Sequence, residues 1–179
     1  MKTTQILIAG FGGQGILFSG KFLAYKGLVE ELQVSWLPSY GPEMRGGTAN
    51  CNVILSDDPV GSPIITTPDV LVAMNLPSLQ KYVDTVAPGG QIYIDSSLID
   101  AKVERTDVEV FYIPATQMAK DEGIGSLANM IIVGHLLENH PELSFEGTEE
   151  VVEKLVPAKK AALKELNMKA LNLGKEYNK

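Results

Sequence analysis

Short, continuous apolar runs alternate along the chain with longer segments in which apolar residues recur every three or four positions. The first run, Gln5–Ala9, is followed by a glycine, which predicts a strand that is covered on both faces. Residues 14–29 then have helical periodicity. One face of this predicted helix carries Ile16, Gly20, Leu23 and Gly27. The two glycines on that face predict a helix that packs closely against the sheet.

The same pattern predicts five further strands and several further helices. The strands lie at 33–37, 48–56, 69–74, 91–95 and 108–113. The helices lie at 76–86 and 129–139, followed by one or two amphipathic helices between 146 and 177 that break near Pro157. Asn75 and Pro77 mark the start of the helix at 76. In the strand at 48–56, one predicted face consists of Ala49, Cys51, Val53 and Leu55.

Alternating strands and helices predict one three-layer α/β/α domain over residues 1–179, with C-terminal helices from about 146. The strand at Thr48 follows its neighbour after only a loop, without a helix between them. The predicted α/β sheet is therefore mixed and mostly parallel.

Composition narrows the classes of function. The 179 residues include 15 Lys and Arg against 22 Asp and Glu, a net charge of −7 that argues against a general nucleic-acid binder. A single cysteine, Cys51, cannot form an internal disulfide, an iron–sulfur cluster or a cysteine-based zinc site. His135 and His140 have no partner cluster, so no metal site is expected. No apolar run suits a membrane span or a signal peptide, and we expect a cytoplasmic location.

The first segment that can carry chemistry is the glycine loop, Gly10–Gly15, with the spacing G-x-G-x-x-G between a strand and a helix. Its glycines allow a tight turn and a close approach to an anion, which the N–H groups of the helix N-terminus can bind. A nicotinamide dinucleotide site expects an acid at the end of the second strand. Glu30 and Glu31 precede that strand instead. Two interpretations stay open: a phosphate-bearing ligand, or a tight turn that binds nothing.

The second segment is the loop from Ser39 to Thr48, where glycine and proline surround a tyrosine, an acid and a base. It follows a strand end, where α/β proteins bind ligands. Arg45 is the candidate for a phosphate or carboxylate contact, because a guanidinium is a planar fork of donors. The alternative is an internal ion pair between Arg45 and Glu43. In an isolated chain, we expect the loop from Ser39 to Gly47 to be mobile or to contact a partner.

Other polar residues have structural interpretations beside functional ones. Asn129 lies at a predicted helix start, where it can cap the helix or belong to a site. Cys51 is expected to be a small buried strand residue, and His135 a packed core histidine. The segment 95–97 can face a ligand or form a turn.

Together, the segments Gly10–Gly15 and Ser39–Asn50 closely resemble the gamma subunit of 2-oxoacid:ferredoxin oxidoreductases. Further similarity at 60–63, 68–75, 114–116 and 128–130 extends the resemblance over about residues 4–138. The second motif is the specific one. It looks most like the 2-oxoglutarate type, then the 2-oxoisovalerate type, with the indolepyruvate type ranked lower.

The resemblance implies an accessory subunit of an enzyme that oxidatively decarboxylates a 2-oxoacid to an acyl-CoA and passes electrons to ferredoxin. It implies alpha and beta partner subunits, with a ferredoxin-like delta subunit as a further candidate. Thiamine diphosphate, Mg²⁺ and the iron–sulfur clusters are expected on those subunits, because this chain lacks a metal–diphosphate motif and the cysteines for a cluster. No catalytic residue and no metal ligand is expected in this chain.

The resemblance also implies a shared coenzyme A site. The residues expected to contact the cofactor are Gly12, Gly13, Gln14, Gly15, Lys21, Tyr40, Arg45, Gly46 and Asn129. The expectation depends on the two glycine-rich bends meeting at one edge of the sheet. Two other classes stay open: a stand-alone nucleotide-binding scaffold or regulator, and an NAD(P)-dependent dehydrogenase.

Overall fold

A six-stranded sheet forms the centre of the computed structural model, which describes residues 3–39 and 48–178. The strands are β1 Thr4–Phe11, β2 Gln33–Ser39, β3 Thr48–Ser56, β4 Val70–Ala73, β5 Gln91–Asp95 and β6 Glu109–Ile113. The helices are α1 Ile16–Val29, α2 Leu76–Tyr82, α3 Ala115–Asp121, α4 Ala128–Asn139, α5 Thr148–Leu155 and α6 Ala161–Glu176. Short 3-10 turns lie at Val83–Thr85 and Ala158–Lys160.

The strands follow the order β2-β3-β1-β4-β5-β6. β3 pairs antiparallel with both of its neighbours, while β1, β4, β5 and β6 pair in parallel. β2 and β1 both run opposite to β3, so five strands share one direction. The prediction of a mixed, mostly parallel sheet is confirmed.

Helices cover the two faces of the sheet unequally. One core cluster joins the apolar residues of α1, α4, α5 and α6 to alternate residues of the strands, among them Ile8, Cys51 and Val72. The core cluster on the other face is smaller, and α2 contributes Leu79 to it. The sheet is the middle one of three layers, with most of the helical mass on the α1 side.

Glycines bring α1 and α6 unusually close to their neighbours. A Cβ at Gly20 would overlap the Cys51 sulfur, and one at Gly27 would lie 2.5 Å from a Leu55 methyl group. The predicted close packing of this helix on the sheet is confirmed. At the crossing of α4 and α6, a Cβ on Gly134 or Gly174 would overlap backbone carbonyl oxygen atoms of the facing helix.

Most of the predicted elements are present within a few residues of their predicted ends. α2 ends sooner than predicted, since the chain tightens into a 3-10 turn at Val83. α3 is not predicted by the sequence pattern; it has seven residues and begins directly after Pro114. Cys51 is fully buried and His135 is 3% exposed, as predicted. Asp95 accepts hydrogen bonds from Ser97 N and from the Thr116 hydroxyl, which favours the structural interpretation of this turn.

Candidate functional site

The strand register brings the start of the glycine loop and the two residues that flank the second bend to the same edge of the sheet. β1 leads into the glycine loop at Phe11, and Phe11 is the residue of β1 that pairs with Thr48, the first residue of β3. β2 ends at Ser39, which pairs with Asn50 on the other side of β3. The second bend therefore leaves and re-enters the sheet beside the glycine loop. The bend itself, residues 40–47, lies outside the described residues, and so do the candidate residues Tyr40, Arg45 and Gly46. The expected mobility of this loop therefore stays a prediction.

Left-handed backbone angles shape the glycine loop. Gly13 has φ +91° and Gly15 has φ +76°, a region that side chains other than glycine rarely adopt. Gly15 is the N-cap residue of α1, and no side chain caps this helix end. The first intrahelical bond runs from Ser19 N to Gly15 O, so the preceding N–H groups of α1 have no partner within the helix. These amides and the helix dipole favour an anion at this point.

A cleft of about 300 Å³ lies between this loop and the start of β3. It is lined by Gly12, Gly13, Gly15, Ile16, Leu17, Phe18 and Ala49. Gly12 and Gly13 are exposed to solvent, and within the described part of the chain their N–H groups make no hydrogen bond. The cleft thus combines bare backbone donors with an apolar wall, a surface that suits a ligand with both anionic and apolar parts.

Asn129 connects this loop to α4. It is the second residue of α4, and its Nδ2 donates to Gly15 O at 3.1 Å and to Ser19 Oγ at 2.9 Å. The interpretation of Asn129 as a helix cap is wrong, because Leu127 holds the N-cap position and the Asn129 amide bonds to α1 instead. Its Oδ1 is buried without a hydrogen-bond partner in the described structure. Asn129 holds the N-terminus of α1 in place from the α4 side.

Gln14 is placed differently from its expected role as a backbone donor to a ligand. Its N–H already donates to Phe11 O at 3.2 Å, which forms the turn of the loop. Its side chain points back over the sheet edge, where Oε1 accepts from Phe11 N at 2.6 Å and Nε2 donates to Met74 O at 2.9 Å. This side-chain role cannot be predicted from the sequence, because no local pattern shows that β4 lies beside β1.

Lys21 lies further along α1 and is exposed. Its Nζ lies 5.9 Å from the centre of the Tyr25 ring, one turn further from the glycine loop. Lys21 is not among the residues that line the cleft. The structure therefore brings Gly12, Gly13, Gly15 and Asn129 together but does not place Lys21 with them.

The described groups near this edge can bind a ligand but do not form an acid–base or metal site. Burial raises the pKa of the Cys51 thiol to about 12, so it is not a nucleophile at neutral pH. Over residues 3–39 and 48–178, no three His, Cys, Asp or Glu side chains are placed to hold a metal ion. No helix in the same ranges is long and apolar enough to cross a bilayer. Recognition of an anion by backbone amides is the chemistry that this arrangement supports.

Comparison with known proteins yields a family model and several relatives. The model described as pyruvate ferredoxin/flavodoxin oxidoreductase matches residues 5–177. The ketoisovalerate oxidoreductase subunit VorA of Methanothermobacter thermautotrophicus is 40% identical over 174 residues, which cover 97% of this chain and 36% of VorA. The 2-oxoglutarate synthase subunit KorC of Methanothermobacter marburgensis is 35% identical over 179 residues, covering 96% of this chain and 95% of KorC.

Solved structures show the same fold. The gamma subunit of a keto/oxoacid ferredoxin oxidoreductase from Geobacter sulfurreducens PCA superposes with a TM-score of 0.81 at 30% identity, over 97% of this chain and 96% of that one. A 2-oxoglutarate:ferredoxin oxidoreductase from Magnetococcus marinus, with 2-oxoglutarate, coenzyme A and succinyl-CoA bound, gives a TM-score of 0.86 at 28% identity. The match covers 98% of this chain and 31% of the Magnetococcus chain. The chain thus spans about a third of the length of VorA and of this enzyme, and nearly all of KorC.

Proposed function

Because this chain belongs to the pyruvate ferredoxin/flavodoxin oxidoreductase family and has the gamma-type fold, we propose that it acts as the accessory gamma subunit of a 2-oxoacid:ferredoxin oxidoreductase. The complete enzyme would oxidatively decarboxylate a 2-oxoacid, form an acyl-CoA and reduce ferredoxin. Its alpha and beta subunits, together with a ferredoxin-like subunit, would carry the thiamine diphosphate, the Mg²⁺ and the iron–sulfur clusters. The single cysteine of this chain supports that division of labour, because a cluster needs several thiolates.

The contribution of this chain would be one wall of the coenzyme A site. Gly12, Gly13 and Gly15 would present N–H groups and the N-terminus of α1 to a phosphate of the cofactor. Asn129 would hold these groups in place, and Tyr40, Arg45 and Gly46 of the second bend would complete the wall. Lys21, which does not line the cleft, would act only as a more distant positive charge. The coenzyme A in the Magnetococcus relative supports this ligand.

The observation that carries the proposal is the pairing of Phe11 with Thr48. The pairing puts Thr48, the residue that follows the second bend, beside Phe11, where β1 leads into the glycine loop. This supports one ligand that contacts both segments. Had the bends followed strands that end at opposite edges, a shared site would be impossible.

Two relatives suggest the 2-oxoacid. The motif of the second bend looks most like the 2-oxoglutarate type, and the relative KorC, 35% identical to this chain, supports 2-oxoglutarate as the first candidate. VorA is 40% identical, and it makes the branched-chain 2-oxoisovalerate the second candidate. Reduction of a viologen dye by the purified complex with each 2-oxoacid, in the presence of coenzyme A, distinguishes the two.

A pair of matched glycine variants tests the coenzyme A site in the co-purified complex. Gly13→Ala and Gly89→Ala both place a methyl group at a positive φ, +91° and +79°, with no atom within 4 Å of the new Cβ. Each should destabilise the chain by about 1 kcal/mol, from the backbone alone. Gly13 lines the cleft, whereas Gly89 precedes β5 at the opposite edge of the sheet.

We expect Gly13→Ala to raise the KM for coenzyme A about tenfold or more, while Gly89→Ala leaves it unchanged. Equal values for the two variants would refute the site. The alternative, a stand-alone nucleotide-binding scaffold, requires that the chain purify from its native lysate without larger iron–sulfur subunits.

A further inference from the structure

Ligands of open α/β sheets usually bind where the connections from neighbouring strands leave to opposite faces. In this sheet that point lies between β1 and β4, which are parallel neighbours. α1 follows β1 and packs on one face, through Phe22 and Leu23, whereas α2 follows β4 and packs on the other, through Leu79. The general rule therefore predicts a ligand in the crevice outside the ends of β1 and β4.

In this protein the Gln14 side chain occupies that crevice. It bridges the two strand ends, since its Oε1 accepts from Phe11 N and its Nε2 donates to Met74 O. Gly10 is the residue beneath it: a Cβ there would lie 2.6 Å from Gln14 Oε1 and 2.8 Å from Met74 Cβ. The first glycine of the motif thus makes room for a side chain of the protein itself. Nothing about Gly10 requires a ligand.

We propose that Gln14 is a positioning residue, which closes the crevice between β1 and β4 and fixes the glycine loop so that the ligand binds on the β3 side. The proposal rests on the proposed function, because it takes coenzyme A as the ligand of the cleft. It assigns the loop two distinct sides. One side is filled by Gln14, and the other is the cleft of Gly12, Gly13 and Ala49.

A carboxamide is required at position 14 because the side chain must donate one hydrogen bond and accept another at the same time. Phe11 N, at the end of β1, needs an acceptor, and Met74 O, directly after β4, needs a donor. Glutamate keeps the acceptor but places a negative oxygen against the Met74 carbonyl. Protonated glutamate can again donate there; contact with the Met74 carbonyl raises the pKa of this carboxyl, against the opposite effect of the Phe11 N–H and the N-terminus of α1. Methionine has a similar shape, but neither a strong donor nor a strong acceptor.

The test compares Gln14→Glu and Gln14→Met with the wild type, in the complete complex, between about pH 5.5 and about pH 8. Two quantities are measured at each pH: the KM for coenzyme A relative to wild type, and the thermal midpoint relative to wild type. Near pH 8, both variants should raise the KM by about tenfold, the equivalent of one hydrogen bond of about 1.4 kcal/mol. Their kcat at saturating coenzyme A should stay near the wild-type value.

Acidification distinguishes the variants. The relative KM and the relative thermal midpoint of Gln14→Glu should both return towards the wild type at low pH, while those of Gln14→Met should stay constant. A Gln14→Glu variant that does not recover, or one that equals the wild type at both pH values, would overturn the positioning role. If the midpoint recovers with acid but neither these variants nor Gly13→Ala alter the KM, the proposed coenzyme A site fails while the tie between β1 and β4 stands.

Discussion

Replacement of Asn129 by alanine tests whether α4 holds the N-terminus of α1. Asn129 is 4% exposed, and its Nδ2 bonds to Gly15 O and Ser19 Oγ across a sequence separation of more than 100 residues. Alanine removes both hydrogen bonds and leaves the Ser19 hydroxyl, which is also buried, without this partner. The Asn129 Oδ1, which has no hydrogen-bond partner in the described structure, is removed as well.

The expected magnitude follows from these contacts. Two neutral hydrogen bonds contribute about 1 kcal/mol each, and the small space left by the amide adds up to about 1 kcal/mol. Removal of the unpaired Oδ1 offsets part of this loss. We therefore expect a loss of about 2 kcal/mol in the free energy of unfolding. For a chain of this length that is a fall of about 4–8 °C in the thermal midpoint.

Asn167→Ala is the matched control. Asn167 is also 4% exposed, lies within a helix and has a buried Oδ1 without a partner in the described structure. Its Nδ2, however, bonds to Leu163 O of the same helix at 2.7 Å, so it joins no two elements. Alanine is favoured over asparagine by up to about 0.7 kcal/mol in a helix interior, and this gain applies in full to Asn167 in the interior of α6 but not to Asn129 in the first turn of α4, so it is subtracted before the variants are compared. The difference between them isolates the link from α4 to α1.

Differential scanning calorimetry of the two variants measures the midpoints, and the coenzyme A titration of the complex measures the site. Asn129→Ala should be the less stable variant and should raise the KM for coenzyme A severalfold, whereas Asn167→Ala should leave that KM unchanged. Equal thermal midpoints in the two variants would refute the reasoning. They would show that the hydrogen bonds to Gly15 and Ser19 stabilise the chain no more than the bond of Asn167 within its own helix does.

Three further predictions concern the rest of the fold. Gly174→Ala should lower the free energy of unfolding by about 3 kcal/mol in urea titrations, because its methyl group would overlap the backbone of α4. Gly61→Ala is the control and should not, since open space surrounds its Cβ. Burial lowers the pKa of His135, so below about pH 6.5 the unfolded chain binds a proton that the folded chain does not. The free energy of unfolding should therefore fall as the pH falls below that value, and it should fall less steeply in His135→Gln. Cys51, with a pKa of about 12, should resist maleimide at about pH 8 until the chain is unfolded.

Sequence patterns predict well the strands and helices in which buried positions recur at a regular spacing. The alternation in β3 correctly places Cys51, Val53 and Leu55 on the α1 face, since each is fully buried there. Gly20 and Gly27 predict the close approach of α1 for a steric reason that is local to the helix. α3 escapes this reasoning, because seven residues are too few to show a helical period.

The candidate site is less predictable because its contacts join residues that are distant in sequence. Gly13 and Gly15 are recognisable from the loop itself, and their positive φ angles agree with that interpretation. Gln14 and Asn129 gain their roles only once β4 lies beside β1 and α4 lies beside α1. Their partners are 60 and 114 residues away, and no spacing rule connects them. The contacts of Arg45 with a cofactor stay a prediction.

The glycine loop continues from β1, which lies inside the sheet and pairs with β3 along eight residues and with β4 along four. The strand that carries the loop therefore cannot detach while the rest of the sheet stays intact, unlike a strand at the margin of a sheet. Any molecule that binds only the folded loop will raise the free energy of unfolding, by about 2.7 kcal/mol when its free concentration is one hundred times its dissociation constant. Saturation with such a molecule should slow every proteolytic cut that requires global unfolding, wherever in the domain the cut lies.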